Sequence, residues 1–534
     1  MKIAAVCSLL HESADSHSAA RLFRGEPVLA WTLARLERSR FIQDLAVLCW
    51  EDQFPQIEPI AADLEVYCSV RHGRGSLPDL NALSAAGRWA DGWRGGLLGC
   101  CAFDKGFVGP WMLEIQKELA ADALLLVDPS SGLVDAGLID GLIEHAEKNP
   151  QLEFFFSQAA PGLSGALIRA PLLGQLAAGH LHPGAVLTYR PELALPEPIA
   201  GPACAPIPTA LARTTLRFTL DSSRQIDRIT QATEHLNGEL ISTASEQLLQ
   251  TLNAQTTASP LPREIVLEVN RRRIATPIYS PIQVAACDGE MSLDLAGEIF
   301  AQLAEADDLR LILGGVGDPL LHSQAIELIE SAHNAGINAI AIETDLLGLS
   351  PERIDQLADS PADIISVFLP AMTAQTYHAV MGVDGFAEVI GNLRRLLQRR
   401  SRGVPLLVPT FVKTRRNLPE MEAWYDHWLK TLACAVILGP SDYVGQITDV
   451  SVAAMEPPRR RPCGRLNHRM TILLDGRIVS CEQDIGGQQI LGRIPHDSVE
   501  EIWTGGMASL RQDHAEGNWQ RHPLCANCRE WHRP

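Results

Sequence analysis

The sequence predicts an α/β protein of more than one domain, and three observations carry that expectation. Short apolar runs alternate with segments of helical period along most of the chain. The 534 residues exceed what one ordinary core accommodates. Of the 12 cysteines, four fall within residues 463–534, which sets the tail apart from everything before it.

In chain order, IAAVCSLL and LAVLCW read as buried strands, with PVLAWTLARLERS between them as a helix started by Pro27. ALLLVDPSSGLVDAGLIDGLIEHAEKN reads as strand, turn and helix. It puts Asp128 at the strand's C-terminal end, the edge where ligands of open α/β sheets bind. LALPEPIAGPACAPIP is an extended connection, and a polar helical region over 222–258 leads into TTASPLPRE, a linker. A second series begins at Glu264, with EIVLEVN, LRLILGG, NAIAIETD, ADIISVFLP, VPLLVPTFV and CAVILGP as strands between helical segments. In one of those segments Ala325, Leu328, Ile329 and Ala332 share a helix face, with Gly336 as its C-cap. Five or six such units imply a parallel sheet, open or partly closed into a barrel. EPPRRRP marks a second linker, so the expected domains are 1–255, 262–455 and 456–534.

Apolar content of 46% with 20% charged residues describes a soluble globular chain. The net charge of -19 argues against a nucleic-acid surface, which needs clustered Lys and Arg. No apolar run approaches the roughly 20 residues that cross a bilayer, and IAAVCSLL reads as a first strand rather than a signal peptide. The expected location is therefore cytoplasmic, with thiols reduced. There a local group of cysteines points to metal before disulfides. Cys7, Cys49, Cys68, Cys100, Cys101, Cys204, Cys287 and Cys434 are scattered and read as small buried hydrophobes.

In the tail, MTILLDGRIVSC reads as a hairpin about Asp475-Gly476, which would bring Cys463 and Cys481 to one end. Cys525 and Cys528 would complete a four-thiolate set. Such a set suits zinc or an iron–sulfur cubane, and ligand count does not separate them. CGRLNHRMTILLDGRIVSCEQD, LGRI, SVEEIW and PLCANCREW, in that order, resemble a SPASM domain, the auxiliary-cluster module that follows many radical SAM barrels. The resemblance implies one auxiliary [4Fe–4S] cluster on Cys463, Cys481, Cys525 and Cys528.

The middle segment resembles the matching barrel. LRLILGGVGDPLLH is similar to the glycine-rich turn that cradles the amino group of S-adenosylmethionine, which implies cofactor contacts at Gly314, Gly315, Gly317 and Asp318. The departure is at the first strand. Radical SAM enzymes carry Cys-x-x-x-Cys-x-x-Cys there, whereas this chain has EVNRRRIATPIYSP. The ligand positions fall on Arg272, Thr276 and Tyr279, or on Arg273, Pro277 and Ser280, and the nearest cysteine, Cys287, stands alone. These side chains do not replace three soft thiolates. Two readings of Arg271, Arg272 and Arg273 stay open: an anion-holding cluster, or a solvated strand end.

Residues 1–250 resemble the cytidylyltransferases that activate acidic sugars, through GEPVLAWTLARLERS, LLLVDPSSGLVDAGLID, HPGAVLTYRPEL and RFTLDSSRQIDRI. That resemblance implies Mg²⁺ held by Asp128. The family's basic phosphate loop is replaced by CSLLHESADSHSAARLFRG, which has no Lys and carries Glu12 and Asp15.

Taken whole, the chain is similar to the spiro-SPASM proteins. The expected fold is a nucleotidyltransferase-like α/β domain, a partial (β/α) barrel and a small C-terminal iron–sulfur module. The expected function is that of an accessory, electron-relay or scaffold protein with an auxiliary cluster and no radical-initiating one, working with a protein partner or modifying enzyme. The alternative is an enzyme of non-radical chemistry that binds S-adenosylmethionine or a sugar nucleotide. The sequence sets no oligomeric state.

Overall fold

In the computed structural model, residues 1–74, 77–192, 197–254, 259–283 and 289–533 are described. Cys287 and part of the 193–208 connection lie outside them. The chain divides into two units, Met1–Thr257 and Ala258–Pro534.

The first unit is built on a seven-stranded sheet. Its strands are β1 (Ile3–Ser8), β2 (Asp44–Trp50), β3 (Tyr67–Arg71), β4 (Ala123–Val127), β5 (Phe154–Ser157), β6 (Ala166–Arg169) and β7 (Cys204–Ala205), in the order β3-β2-β1-β4-β6-β5-β7. β1 pairs in parallel with both β2 and β4, and the strand order reverses between β1 and β4. Such a reversal leaves a crevice beyond the strands' C-terminal ends, here at Ser8 and Asp128. β1 and β4 are buried along their whole length, as a sheet covered on both faces requires. Pro27 caps the helix Val28–Leu36, with φ fixed near the value it needs.

The second unit holds a nine-stranded sheet. Its strands are β8 (Glu264–Leu267), β9 (Arg310–Leu313), β10 (Ala339–Thr344), β11 (Ile364–Phe368), β12 (Leu406–Val412), β13 (Val436–Leu438), β14 (Arg469–Ile472), β15 (Arg477–Val479) and β16 (Ile490–Arg493). The order is β13-β12-β11-β10-β9-β8-β14-β15-β16. β8 to β13 run in parallel in sequence order, and the sheet stays open rather than closing into a barrel among the described residues. Alternation divides its faces. Ile265, Leu267, Leu311, Leu313, Ile340, Ile342, Ile365 and Val367 join one apolar core with the helices. Glu264, Glu268, Arg310 and Glu343 alternate with them and fall on the other face, as the two-residue period dictates.

The tail is organised differently from the expectation of a module behind a linker. β14 pairs in parallel with β8, Glu264 opposite Arg469, and continues the barrel-like sheet. The hairpin β14–β15 and then β16 extend it antiparallel. Ile478, Ile494, Val499 and Trp503 share the core with the helix Leu293–Leu303. Among the described residues, no helix is long and apolar enough to cross a membrane.

Candidate metal centre and sheet-edge sites

The four tail thiols come from three places. Cys463 precedes β14, Cys481 follows β15, and Cys525 and Cys528 bracket the end of the short helix Pro523–Asn527. They are electrostatic neighbours. Burial and then the Cys528 and Cys463 thiols push Cys525 up to about 12. Cys481 is raised by burial, by Glu482, and by Cys525 and Cys528. Cys528 is raised by burial and by Cys463, and opposed by the Glu530 N–H, which lies 3.3 Å from its Sγ. Among the described residues no three His, Cys, Asp or Glu side chains are set as ligands of a single ion.

The surroundings fix the backbone of this region. The Cys463 N–H donates to His514 Nδ1 at 3.3 Å. His514 is buried, and burial and Arg460 push it down to about 4, so its ring is neutral with the proton on Nε2. Arg460 donates to the Cys525 carbonyl at 2.6 Å and lies over the Trp519 ring. Asp484 accepts from the N–H groups of Gln488 and Gln489, closing the turn after Cys481. The donor set fits an iron–sulfur cluster: the four thiols are electrostatic neighbours, and burial with nearby thiols makes Cys481, Cys525 and Cys528 harder to ionise, a penalty that a cationic centre removes.

The loop after β8 is filled by hard charges instead. Arg273 makes a two-pronged pair with Asp345, Nε to Oδ2 2.7 Å and Nη2 to Oδ1 2.6 Å, with the side chains 7% and 1% exposed. Burial opposes the Arg273 charge, but Asp345 outweighs it and holds the guanidinium charged. Arg271 pairs with Glu268 at 2.8 Å and donates to the Ile485 carbonyl at 2.9 Å, which ties the loop to the tail. Arg272 is more exposed and meets Glu290 and the Leu321 carbonyl. Arg271 and Arg273 are therefore neither an open anion site nor a solvated strand end, while Arg272 keeps solvent exposure beside its Glu290 partner. Tyr279 is buried with its hydroxyl on Met381 Sδ at 3.3 Å, and the Ser280 hydroxyl accepts from the Ile282 N–H.

The glycine-rich turn packs on this loop. A Cβ on Gly317 would lie 2.4 Å from the Asn270 carbonyl oxygen, so the close approach of the two loops needs glycine. Asp318 is buried and both its oxygens are engaged: Oδ1 by the Leu320 N–H at 3.0 Å, Oδ2 by the Thr344 hydroxyl and the Asp345 N–H at 2.8 Å each. Burial and the nearby Asp345 push it up to about 6. Its work in this structure is to hold β10's end against the turn, and the ammonium contact expected of it has to share those oxygens.

Glu343 was not singled out by sequence. It replaces an apolar residue in NAIAIETD, which was the available signal. Its carboxylate sits over Gly314, where a Cβ would lie 2.7 Å from Oε2. Burial and Glu482 push it up to about 7, against Arg469 and Arg273.

In the first unit Asp128 follows the C-terminal end of β4, as expected, and the structure adds that this is beside the strand-order reversal, but its carboxylate is taken. Lys105 Nζ lies 2.6 Å from Oδ2, and the Ser130 N–H and hydroxyl donate to Oδ1 at 2.9 and 2.8 Å. The Mg²⁺ expected on Asp128 does not fit this arrangement, because an ammonium already neutralises the carboxylate.

With this geometry in place, two family profiles match: the radical SAM superfamily over residues 286–416, and the SPASM iron–sulfur cluster-binding domain over 463–529. An uncharacterized protein of Treponema pallidum is 24% identical over 293 residues, which span 51% of this chain and 79% of that one. Similar solved structures include BtrN in complex with AdoMet and 2-DOIA, at 18% identity and TM-score 0.36, covering 51% of this chain and 94% of that one. A cytidylyltransferase from Leptospira borgpetersenii serovar Hardjo-bovis is similar at 17% identity and TM-score 0.32, covering 48% and 98%. The chain thus carries a segment that matches the radical SAM superfamily, followed by one that matches the SPASM iron–sulfur cluster-binding domain.

Proposed function

We propose that this protein carries one auxiliary [4Fe–4S] cluster on Cys463, Cys481, Cys525 and Cys528, has no radical-initiating cluster, and serves a modifying enzyme as an accessory or electron-relay partner. The observation that carries this reading is the filling of the loop after β8. At the first thiolate position of one register this chain has Arg273 in a buried ion pair with Asp345, and the adjacent Arg271 is buried against Glu268. The four tail thiols support the other half. They are electrostatic neighbours without being set around one ion, and cubane ligands lie farther apart because each thiolate binds a different iron. When bound, the cluster supplies one-electron transfer; the chain supplies the thiolates, the Glu530 N–H to Cys528 and the neutral His514 behind Cys463.

S-adenosylmethionine is the other cofactor such a domain implies. With Asp318 committed to Thr344 and Asp345, what this chain offers it is chiefly the backbone of Gly314 to Gly317. Iron and sulfide per chain after anaerobic reconstitution, with zinc counted alongside, test the proposal. About four irons per chain support one cubane. About eight would sink it, and one zinc without iron would assign the tail to a structural metal.

A further inference from the structure

We propose that Lys105 is a built-in counter-cation: its ammonium occupies the place between Asp128 and Asp221 that a divalent ion would bridge, so the first unit binds no such ion at its sheet edge. Two carboxylates from distant parts of the chain converge on this one nitrogen, 2.6 Å from Asp128 Oδ2 and 3.4 Å from Asp221 Oδ2. Arg217 also pairs with Asp221, so two cations already face two carboxylates. A hard divalent ion seeks several oxygen ligands with uncompensated charge. Here one Asp128 oxygen receives the Ser130 donors and the other receives Nζ.

Lys105 is held there by its neighbours in sequence. Asp104 accepts from the N–H groups of Cys101 at 2.7 Å and Gly184 at 2.8 Å. On the other side, the Gly106 carbonyl accepts from the Ser8 hydroxyl at 2.7 Å, which anchors the segment to the end of β1. The lysine therefore projects from a pinned turn and is only 24% exposed at its side chain. Burial works against the ammonium, but Asp128 and Asp221 outweigh it, and Lys105 and Asp128 are each shifted toward their charged forms. His11, whose Nδ1 has no hydrogen-bond partner, is pushed down to about 4 and adds no charge.

The consequence is a latent metal site that a single substitution uncovers. Mn²⁺ is titrated into the full chain and the free-ion EPR signal followed for wild type, D128N, K105M, K105R and K105M/D128N. Wild type, D128N and K105R are expected to be indistinguishable. K105M gains a site at least roughly tenfold tighter than any in wild type, as removal of a unit charge a few ångström away requires, and the double variant loses it. A wild-type site that D128N abolishes would overturn the proposal, as would a folded K105M, judged by circular dichroism, that gains nothing. Where K105M does not fold, the comparison of wild type with D128N still decides: an ion sensitive to Asp128 refutes the proposal, and equal titrations support it.

Discussion

The loop after β8 and the loop after β15 belong to one sheet, and they are filled in opposite ways. Around the first, arginines and carboxylates meet in buried, matched pairs, Arg273 with Asp345 and Arg271 with Glu268. Around the second, burial and neighbouring thiols raise Cys481, Cys525 and Cys528, and Arg460 offsets only part of this at Cys525 and Cys528. A position whose charges are balanced internally is finished as folded; a position of crowded acids of one sign is stabilised by a cation from outside. By that measure the Asp128 edge of the first unit belongs with the loop after β8.

The largest test of the contrast is at the thiols. On the proposed reading, Cys525→Ser is expected to abolish the reconstituted cluster's visible absorbance and Tyr279→Phe to leave it unchanged. Next is the ion pair. Arg273→Ala leaves Asp345 buried and unpaired and should cost about 3–5 kcal/mol in urea unfolding. An R273L/D345L double variant should recover most of that, since two apolar groups replace the pair; a loss as large as in the single variant would show that the pair itself is needed.

A smaller effect is expected at the contact between loops. Gly317→Ala forces a Cβ toward the Asn270 carbonyl and should cost about 1–3 kcal/mol, the range for overpacking. The smallest depends on pH. Glu343 is pushed above the ordinary glutamate value to about 7, so the folded state holds this proton more tightly than the unfolded chain. Its contribution to stability is complete below the unfolded value and is lost as pH rises through about 7. Glu343→Gln should therefore match wild type near pH 4 and exceed it at pH 8 by on the order of 1 kcal/mol, the partial exposure of the group reducing the full linkage value. Equal stabilities at both pH values would place Glu343 in water.

The elements were readable because their signals are local. IAAVCS and EIVL are short apolar runs next to turns, and Ala325, Leu328, Ile329 and Ala332 are buried on one helix face as their spacing requires. The tail cysteines were readable as a set for the same reason: their order and spacing lie within one stretch. What filled the other sites was not readable. Lys105 meets Asp128 and Arg273 meets Asp345 across 23 and 72 positions, and nothing local in AFDKGF or RRRIATP names those partners. The pairing of β14 with β8 was hidden too, since a hairpin has the same sequence pattern whether it stands alone or extends a sheet.

That pairing has a kinetic consequence. β8 and β14 are joined across 205 positions, as the Arg469–Glu264 contact records. During synthesis at about 5–20 residues per second, one edge of β8 waits on the order of 10–40 s for its neighbour. An apolar parallel strand with an open edge over that interval invites mispairing. The segment that covers it also brings Cys463 and Cys481, so the step that completes the sheet is the step that first assembles the thiols.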